Sequence, residues 1–258
     1  MAQSMTQPLH KDRIVLVTGA SRGIGAATAL RFAQHGAVVA VNYYKSKDAA
    51  ERVVAEIEAM GGKALAVQAD VGSAEQVEAM VQRVEEQLGA IDTLALNATA
   101  VREFSFKPFL EYTWDTFTDL VLGELGGVYF PARAVAPRMV ERKHGNIIAV
   151  SSTVSRSGVA GTTAHAAGKS GVDAFVRVLA AELGPYGIRV NAIAPGLVRT
   201  EATAHWSEER IQALSRMFPL RRVAQPEDVA GAIVLLASDD AGFITGNYIS
   251  VSGGAYMQ

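Results

Sequence analysis

The sequence has no cysteine, which excludes disulfides, thiol nucleophiles and thiolate metal sites together. It also lacks a dominant charge. The 24 basic and 26 acidic residues leave a net −2, without the basic field that nucleic acid or an anionic lipid surface attracts. No apolar run approaches the ~20 residues a membrane-spanning helix needs. The opening MAQSMTQPLH has neither the charged nor the apolar region of a secretion signal. Residues 1–10 therefore read as a flexible leader, and a cytoplasmic protein is expected. The five histidines, His10, His35, His144, His165 and His205, show no H-E-x-x-H-type spacing, so no metal site is expected.

What remains is 258 residues, 49% of them hydrophobic, enough core material for one large α/β domain over 11–258. Strand and helix patterns alternate from Arg13 onward. Ile14–Thr18 is a continuous apolar run, as a parallel strand buried on both faces requires. Helices are expected over 23–35, 47–60, 74–88, 114–142, 163–183 and 226–238. Strands are expected over 37–41, 63–69, 93–96, 146–150, 189–194 and 248–251. No repeat or linker interrupts the series. One Rossmann-type, doubly wound parallel sheet with helices on both faces accounts for the chain.

The first strand runs into Thr18-Gly19-Ala20-Ser21-Arg22-Gly23-Ile24-Gly25 and then a helix. Glycines there allow a tight turn and close backbone approach to a pyrophosphate, and the helix N-terminus offers it free N–H groups. The spacing is G-x-x-x-G-x-G, so the G-x-G-x-x-G fingerprint is not met as written, and the strand-turn-helix context carries the reading. The second strand ends in Val41-Asn42-Tyr43-Tyr44, without the carboxylate that accepts an NAD ribose hydroxyl. Arg22, Lys45 and Lys47 lie nearby, and with Asn42 they suit a 2′-phosphate, so NADP(H) is favoured over NAD(H).

The glycine turn and the segments after it resemble the short-chain dehydrogenase/reductase family, particularly its 3-oxoacyl-carrier-protein reductase-like members, from Lys11 to Gly254. The resemblance rests further on Asp70-Val71, Asn97-Ala98, Pro195-Gly196-Leu197-Val198-Arg199-Thr200, Pro226–Ala230 and the closing Ile244-Thr245-Gly246 and Ser252-Gly253-Gly254. It implies that Asp70 and Val71 meet adenine and that the Pro195–Thr200 loop, with Gly196, Val198 and Thr200, meets the nicotinamide carboxamide. Asn97 joins the cofactor contacts. It also implies a dimer or tetramer built on the two long helices.

For catalysis the resemblance implies a serine after strand five, a Tyr-x-x-x-Lys pair on the next helix and an asparagine on the preceding one. Ser152 and Lys169 match. Position 165 is histidine, in His165-Ala166-Ala167-Gly168-Lys169, and Glu124 stands where the family has asparagine. Leu96 and Thr99 also depart from the family's N-N-A-G. The cofactor motifs are intact while four positions around the substrate carbonyl differ, the pattern of a repurposed site. His165 and Lys169 share a helix face at i and i+4. A histidine–carboxylate couple beside a bound acyl group is an acid–base pair.

Three readings are open. The first is an NADP(H)-dependent reductase or dehydrogenase with His165 as proton donor, Ser152 on the substrate oxygen and Lys169 on the ribose. The second is a non-redox dehydratase, isomerase or cyclase using His165 and Glu124. The third is a catalytically silent cofactor-binding subunit, working in a mixed oligomer with a paralogue. Residues 199–218 match the family's substrate lid and carry Trp206, Met217 and Phe218, while Phe104, Phe106 and Phe109 lie in the other variable loop. In a chain only 7% aromatic, this clustering suggests an apolar substrate, such as an acyl thioester. Arg138, Arg142 and Lys143 are candidates for meeting an acidic carrier protein.

Overall fold

The computed structural model describes residues 8–204 and 206–257, so His205 and the first seven residues of the expected leader lie outside it. Among the described residues, seven strands form one parallel sheet in the order β3-β2-β1-β4-β5-β6-β7. These are β1 Ile14–Val17, β2 Val38–Tyr43, β3 Lys63–Gln68, β4 Thr93–Leu96, β5 Gly145–Val150, β6 Ile188–Pro195 and β7 Tyr248–Val251. The helices between them are α1 Gly23–Gln34, α2 Lys47–Ala59, α3 Ala74–Gln87, α4 Trp114–Arg142, α5 Thr163–Leu183, α6 Glu208–Ser215 and α7 Pro226–Ala237.

Strands β1 and β5 are buried at every residue, because helices cover both faces. On one face α3, α4 and α5 pack around Val81, Val135, Ile147 and Val172. On the other, α1, α2 and α7 pack around Phe32, Ile57, Ile148 and Val229. After β3 the chain crosses over to β4 on the far side of β1, so a crevice opens beyond the carboxyl ends of β1 and β4, the usual ligand position in such sheets.

Three expectations are corrected. The body of the fold begins before Lys11: His10 is buried, donates to Val234 O at 2.9 Å and sets its ring edge against Phe32. The leader therefore does not extend through residue 10. The lid holds a helix that its weak apolar pattern hides, α6, and its signal is Ser207, whose hydroxyl accepts from Arg210 N–H ahead of Glu208 and Glu209. Arg138 and Arg142 are occupied within the chain. Arg138 pairs with Glu78 and Glu85, and Arg142 with Glu85, so two of the three cations suggested for a carrier protein already have partners. Among the described residues, no helix is long and apolar enough to cross a membrane, and no cluster of three metal-ligating side chains occurs.

Candidate active site

The glycine turn is a matter of space. A Cβ on Gly25 would stand 2.2 Å from Gly19 O, so only glycine lets α1 come this close to the end of β1. Two side-chain amides hold the turn, one buried and one partly buried. Asn97 donates through Nδ2 to Thr18 O and Gly19 O at 3.0 and 3.1 Å. Asn42 accepts from Gly19 N–H at 3.0 Å and donates to Val67 O and Ala69 O. Asn42 is 1% exposed with its amide committed to backbone, so it braces the turn. Asn42 lines the cleft as well, beside Tyr44 and Lys45.

That cleft measures about 790 Å³. Gly19, Ser21, Arg22, Gly23 and Ile24 form its floor, Asp70, Val71 and Asn97 one wall, and Thr200 the lip. Arg22 is exposed and supplies no side-chain cap to α1, which leaves the first helical N–H groups open to an anion. The residues present therefore fit a dinucleotide pyrophosphate. One group opposes it: the Glu201 carboxylate would lie 3.5 Å from a Cβ on Gly23, at the mouth of the turn. Pro195 and Gly196 sit deeper, where β6 meets β7. Pro195 pairs with Val251, Gly196 packs on Ser252, and buried Val198 bridges to Ala224.

Sequence reasoning missed the wall opposite the turn. Arg102 pairs with Asp70 and lies 5.0 Å above the Tyr44 ring. Burial pushes the Asp70 carboxyl up, but the Arg102 hydrogen bond and the Gly72 amide outweigh it and hold the group below its ordinary range.

At the reacting end, three sequence candidates converge. Glu124 on α4 is 1% exposed. Its Oε1 accepts from His165 Nδ1 at 2.8 Å, and its Oε2 faces Lys169 Nζ at 3.0 Å as an ion pair. Lys169 also donates to Val150 O at 2.8 Å. Gly168 makes the arrangement possible, since a Cβ there would stand 2.9 Å from Cβ and Cγ of Glu124 and drive α4 and α5 apart. Burial pushes the Glu124 carboxyl up. The Lys169 charge and the hydrogen bond from His165 more than offset this, so the net shift is downward and Glu124 is ionised at neutral pH.

The aromatic loop closes over this group: the rings of Phe104 and Phe106 stand edge-on to His165, with centroids at 6.0 and 5.5 Å. Phe109 is exposed, and from the lid Trp206 stacks on Arg210 while Met217 is exposed. Ser152 stands at the end of β5, where its Oγ accepts from Val154 N–H at 3.3 Å, and this leaves the hydroxyl hydrogen to be given elsewhere. Arg199, whose loop carries the lid, pairs with Glu208 of α6.

Residues 19–256 match the model of a family described as Enoyl-(Acyl carrier protein) reductase. A 3-oxoacyl-acyl-carrier-protein reductase from Staphylococcus aureus is 41% identical over 249 residues, covering 96% of this chain and 100% of that protein. An L-rhamnose 1-dehydrogenase (NAD(P)(+)) from a Sphingomonas species is 39% identical, covering 96% of this chain and 98% of the other. Among solved structures, a Serratia marcescens short-chain dehydrogenase/reductase carrying two Phe-to-Tyr substitutions superposes with a TM-score of 0.87 at 32% identity. That match covers 96% of this chain and 99% of the other. Fold, motif order and kinship over nearly the whole length agree, and the chain belongs to the short-chain dehydrogenase/reductase family.

Proposed function

We propose that the protein is an NADP(H)-dependent reductase of a carbonyl on an acyl thioester or similarly apolar substrate, with His165 as the proton donor. The single observation that carries this is the buried contact of Glu124 with both His165 and Lys169. Two relatives whose names describe carbonyl or hydroxyl redox chemistry support the reaction class. Arg22 and Lys45 at the cleft, with no carboxylate at the end of β2, support the 2′-phosphate.

Held in the cleft lined by Gly19, Ser21, Arg22, Gly23 and Ile24, a nicotinamide dinucleotide would supply the hydride that the carbonyl carbon takes up. The chain's own residues do the rest. Ser152 donates its hydroxyl hydrogen to the carbonyl oxygen. His165 carries a hydrogen on Nδ1 toward ionised Glu124, which fixes the tautomer and leaves Nε2 as the atom that exchanges a proton. Nε2 takes up a proton from solvent, which makes the ring an imidazolium paired with Glu124, and then delivers that proton to the same oxygen as it becomes an alcohol, leaving the neutral Nδ1–H tautomer. Lys169 donates to Val150 O and pairs by charge with Glu124, which leaves N–H donors of its ammonium for a ribose hydroxyl. Phe104 and Phe106, half-exposed and edge-on to His165, offer apolar surface to the acyl chain beside the acid. A homo-oligomer fits the apolar groove of about 560 Å³ between α4 and α5, lined by Tyr129, Phe175 and Leu179.

The same His165–Glu124 hydrogen bond also suits proton transfer without hydride, as in a dehydratase or isomerase. Following NADPH and substrate together, against β-ketoacyl thioesters and aryl ketones, separates the two readings. Equal loss of both is the expected outcome. Substrate conversion at constant NADPH would replace the redox reading with the second.

A further inference from the structure

We infer that Asp173 is a positioning residue for the reaction, acting through the turn that carries Ser152. The inference rests on the reading of Ser152 as the hydroxyl that meets the substrate oxygen. Asp173 lies one helical turn beyond Lys169 and two beyond His165, on the same face of α5. Its side chain is only 4% exposed, yet it touches neither Glu124 nor the dinucleotide cleft. Its Oδ1 accepts from Ser151 Oγ at 2.5 Å, and its Oδ2 accepts from Ser155 Oγ at 2.8 Å. Arg156 Nε, at 3.4 Å from Oδ2, supplies the counter-charge.

Those partners flank Ser152 on either side. Ser155 Oγ also lies 2.8 Å from Ser152 O, and Ser155 N–H and the Tyr248 hydroxyl donate to the same carbonyl at 3.1 and 3.3 Å. Burial raises the Tyr248 hydroxyl above its ordinary range, so it stays protonated and donating at neutral pH. Arg156 is held in turn by stacking on the Tyr248 ring at 3.7 Å. Three successive turns of one helix face thus do three jobs. His165 meets the substrate oxygen, Lys169 ties α5 to the end of β5, and Asp173 ties α5 to the turn after it. A buried carboxylate with a half-exposed counter-ion costs desolvation that an apolar residue would avoid. What it gives in exchange is a fixed distance between the helix that carries the acid and the turn that carries the second oxygen contact.

The test is a double-mutant cycle on kcat for NADPH-dependent reduction of a β-ketoacyl thioester, using Asp173→Asn, Ser152→Ala and the pair. Asparagine keeps the size of the side chain but turns one of its two acceptor oxygens into an NH2 donor and removes the charge that Arg156 answers. In the Ser152 protein, Asp173→Asn lowers kcat about tenfold, the scale of one charge-assisted hydrogen bond, and leaves NADPH affinity unchanged. In the Ser152→Ala protein the same substitution changes kcat by less than about twofold, because the group it positions is gone. Tyr248→Phe, which removes one of the two donors left to Ser152 O once the Ser155 hydroxyl is given to Asp173, gives the same pattern at smaller amplitude. Equal losses in both backgrounds would mean general damage and would overturn the inference, as would no loss at all. Should the wild type fail to consume NADPH with any ketone, the redox reading falls separately. Asp173 is then judged by hydrogen exchange across residues 150–157. Faster exchange confined to that turn in Asp173→Asn upholds it, and unchanged exchange rejects it.

Discussion

The two ends of the crevice are built on the same device and filled with opposite chemistry. At each end a glycine lets two elements approach more closely than any Cβ allows, Gly25 against Gly19 and Gly168 against Glu124. At the dinucleotide end the space is braced by neutral amides, Asn42 and Asn97, bonded to backbone. At the reacting end it holds a buried carboxylate between a histidine and a lysine. The first arrangement presents N–H groups to a ligand that brings its own charge. The second stores charge inside the protein, where its balance depends on every partner being present.

The comparison breaks most visibly at Glu124. Replacing it by alanine leaves the Lys169 ammonium buried without a counter-charge, a loss of about 3–5 kcal/mol on the scale of broken buried pairs. Chemical denaturation should show that fall, with Glu124→Gln losing less because the amide still bonds His165. At the other end, Gly25→Ala is expected to cost about 1–3 kcal/mol through overpacking and to weaken NADPH binding at the same time. Stability loss without a change in affinity would separate the turn from the ligand.

The contrast extends to acid. Glu124 titrates below its ordinary value in the native protein, so its contribution to stability is fully present above the unfolded carboxyl value of 4.5 and is lost as pH falls through the lower native one. The stability difference between wild type and Glu124→Gln should therefore narrow only below that pH. A gap that narrows already near neutrality would contradict the ionised carboxylate.

Legibility in the sequence divides along the same line. The glycine turn, the strand runs and the long helices Trp114–Arg142 and Thr163–Leu183 are local patterns, and the last two have the bounds read from the sequence. His165 and Lys169 could be placed on one helix face by spacing alone, and the family resemblance pointed to Glu124. The bracing role of Asn42 was not legible, because a polar residue at a strand end looks available until its backbone partners are known. The Arg102–Asp70 pair and the Asp173 cluster join segments far apart in the chain and carry no periodic signal. Helix α6 was hidden by its few apolar residues, although Ser207 before Glu208 and Glu209 marked its start.

Two smaller effects sharpen the picture of the dinucleotide end. Arg22→Ala should lower affinity for NADPH on the order of tenfold and leave NADH nearly unaffected, since only the 2′-phosphate meets the guanidinium. Equal weakening for both cofactors would place Arg22 elsewhere. Glu201→Ala should tighten binding of either cofactor a few-fold, about the worth of one exposed like-charge contact, because its carboxylate stands at the mouth of the turn. Weaker binding would show that Glu201 helps to seat the ligand.

The central claim is that His165 gives the proton. Its most direct measurement is kcat for NADPH-dependent ketone reduction by His165→Gln beside the wild type, with NADPH affinity determined for both by direct titration. The expected result is a fall in kcat of roughly 10²–10⁴-fold, the usual worth of a positioned general acid, with cofactor affinity unchanged. Turnover that survives the substitution would contradict it.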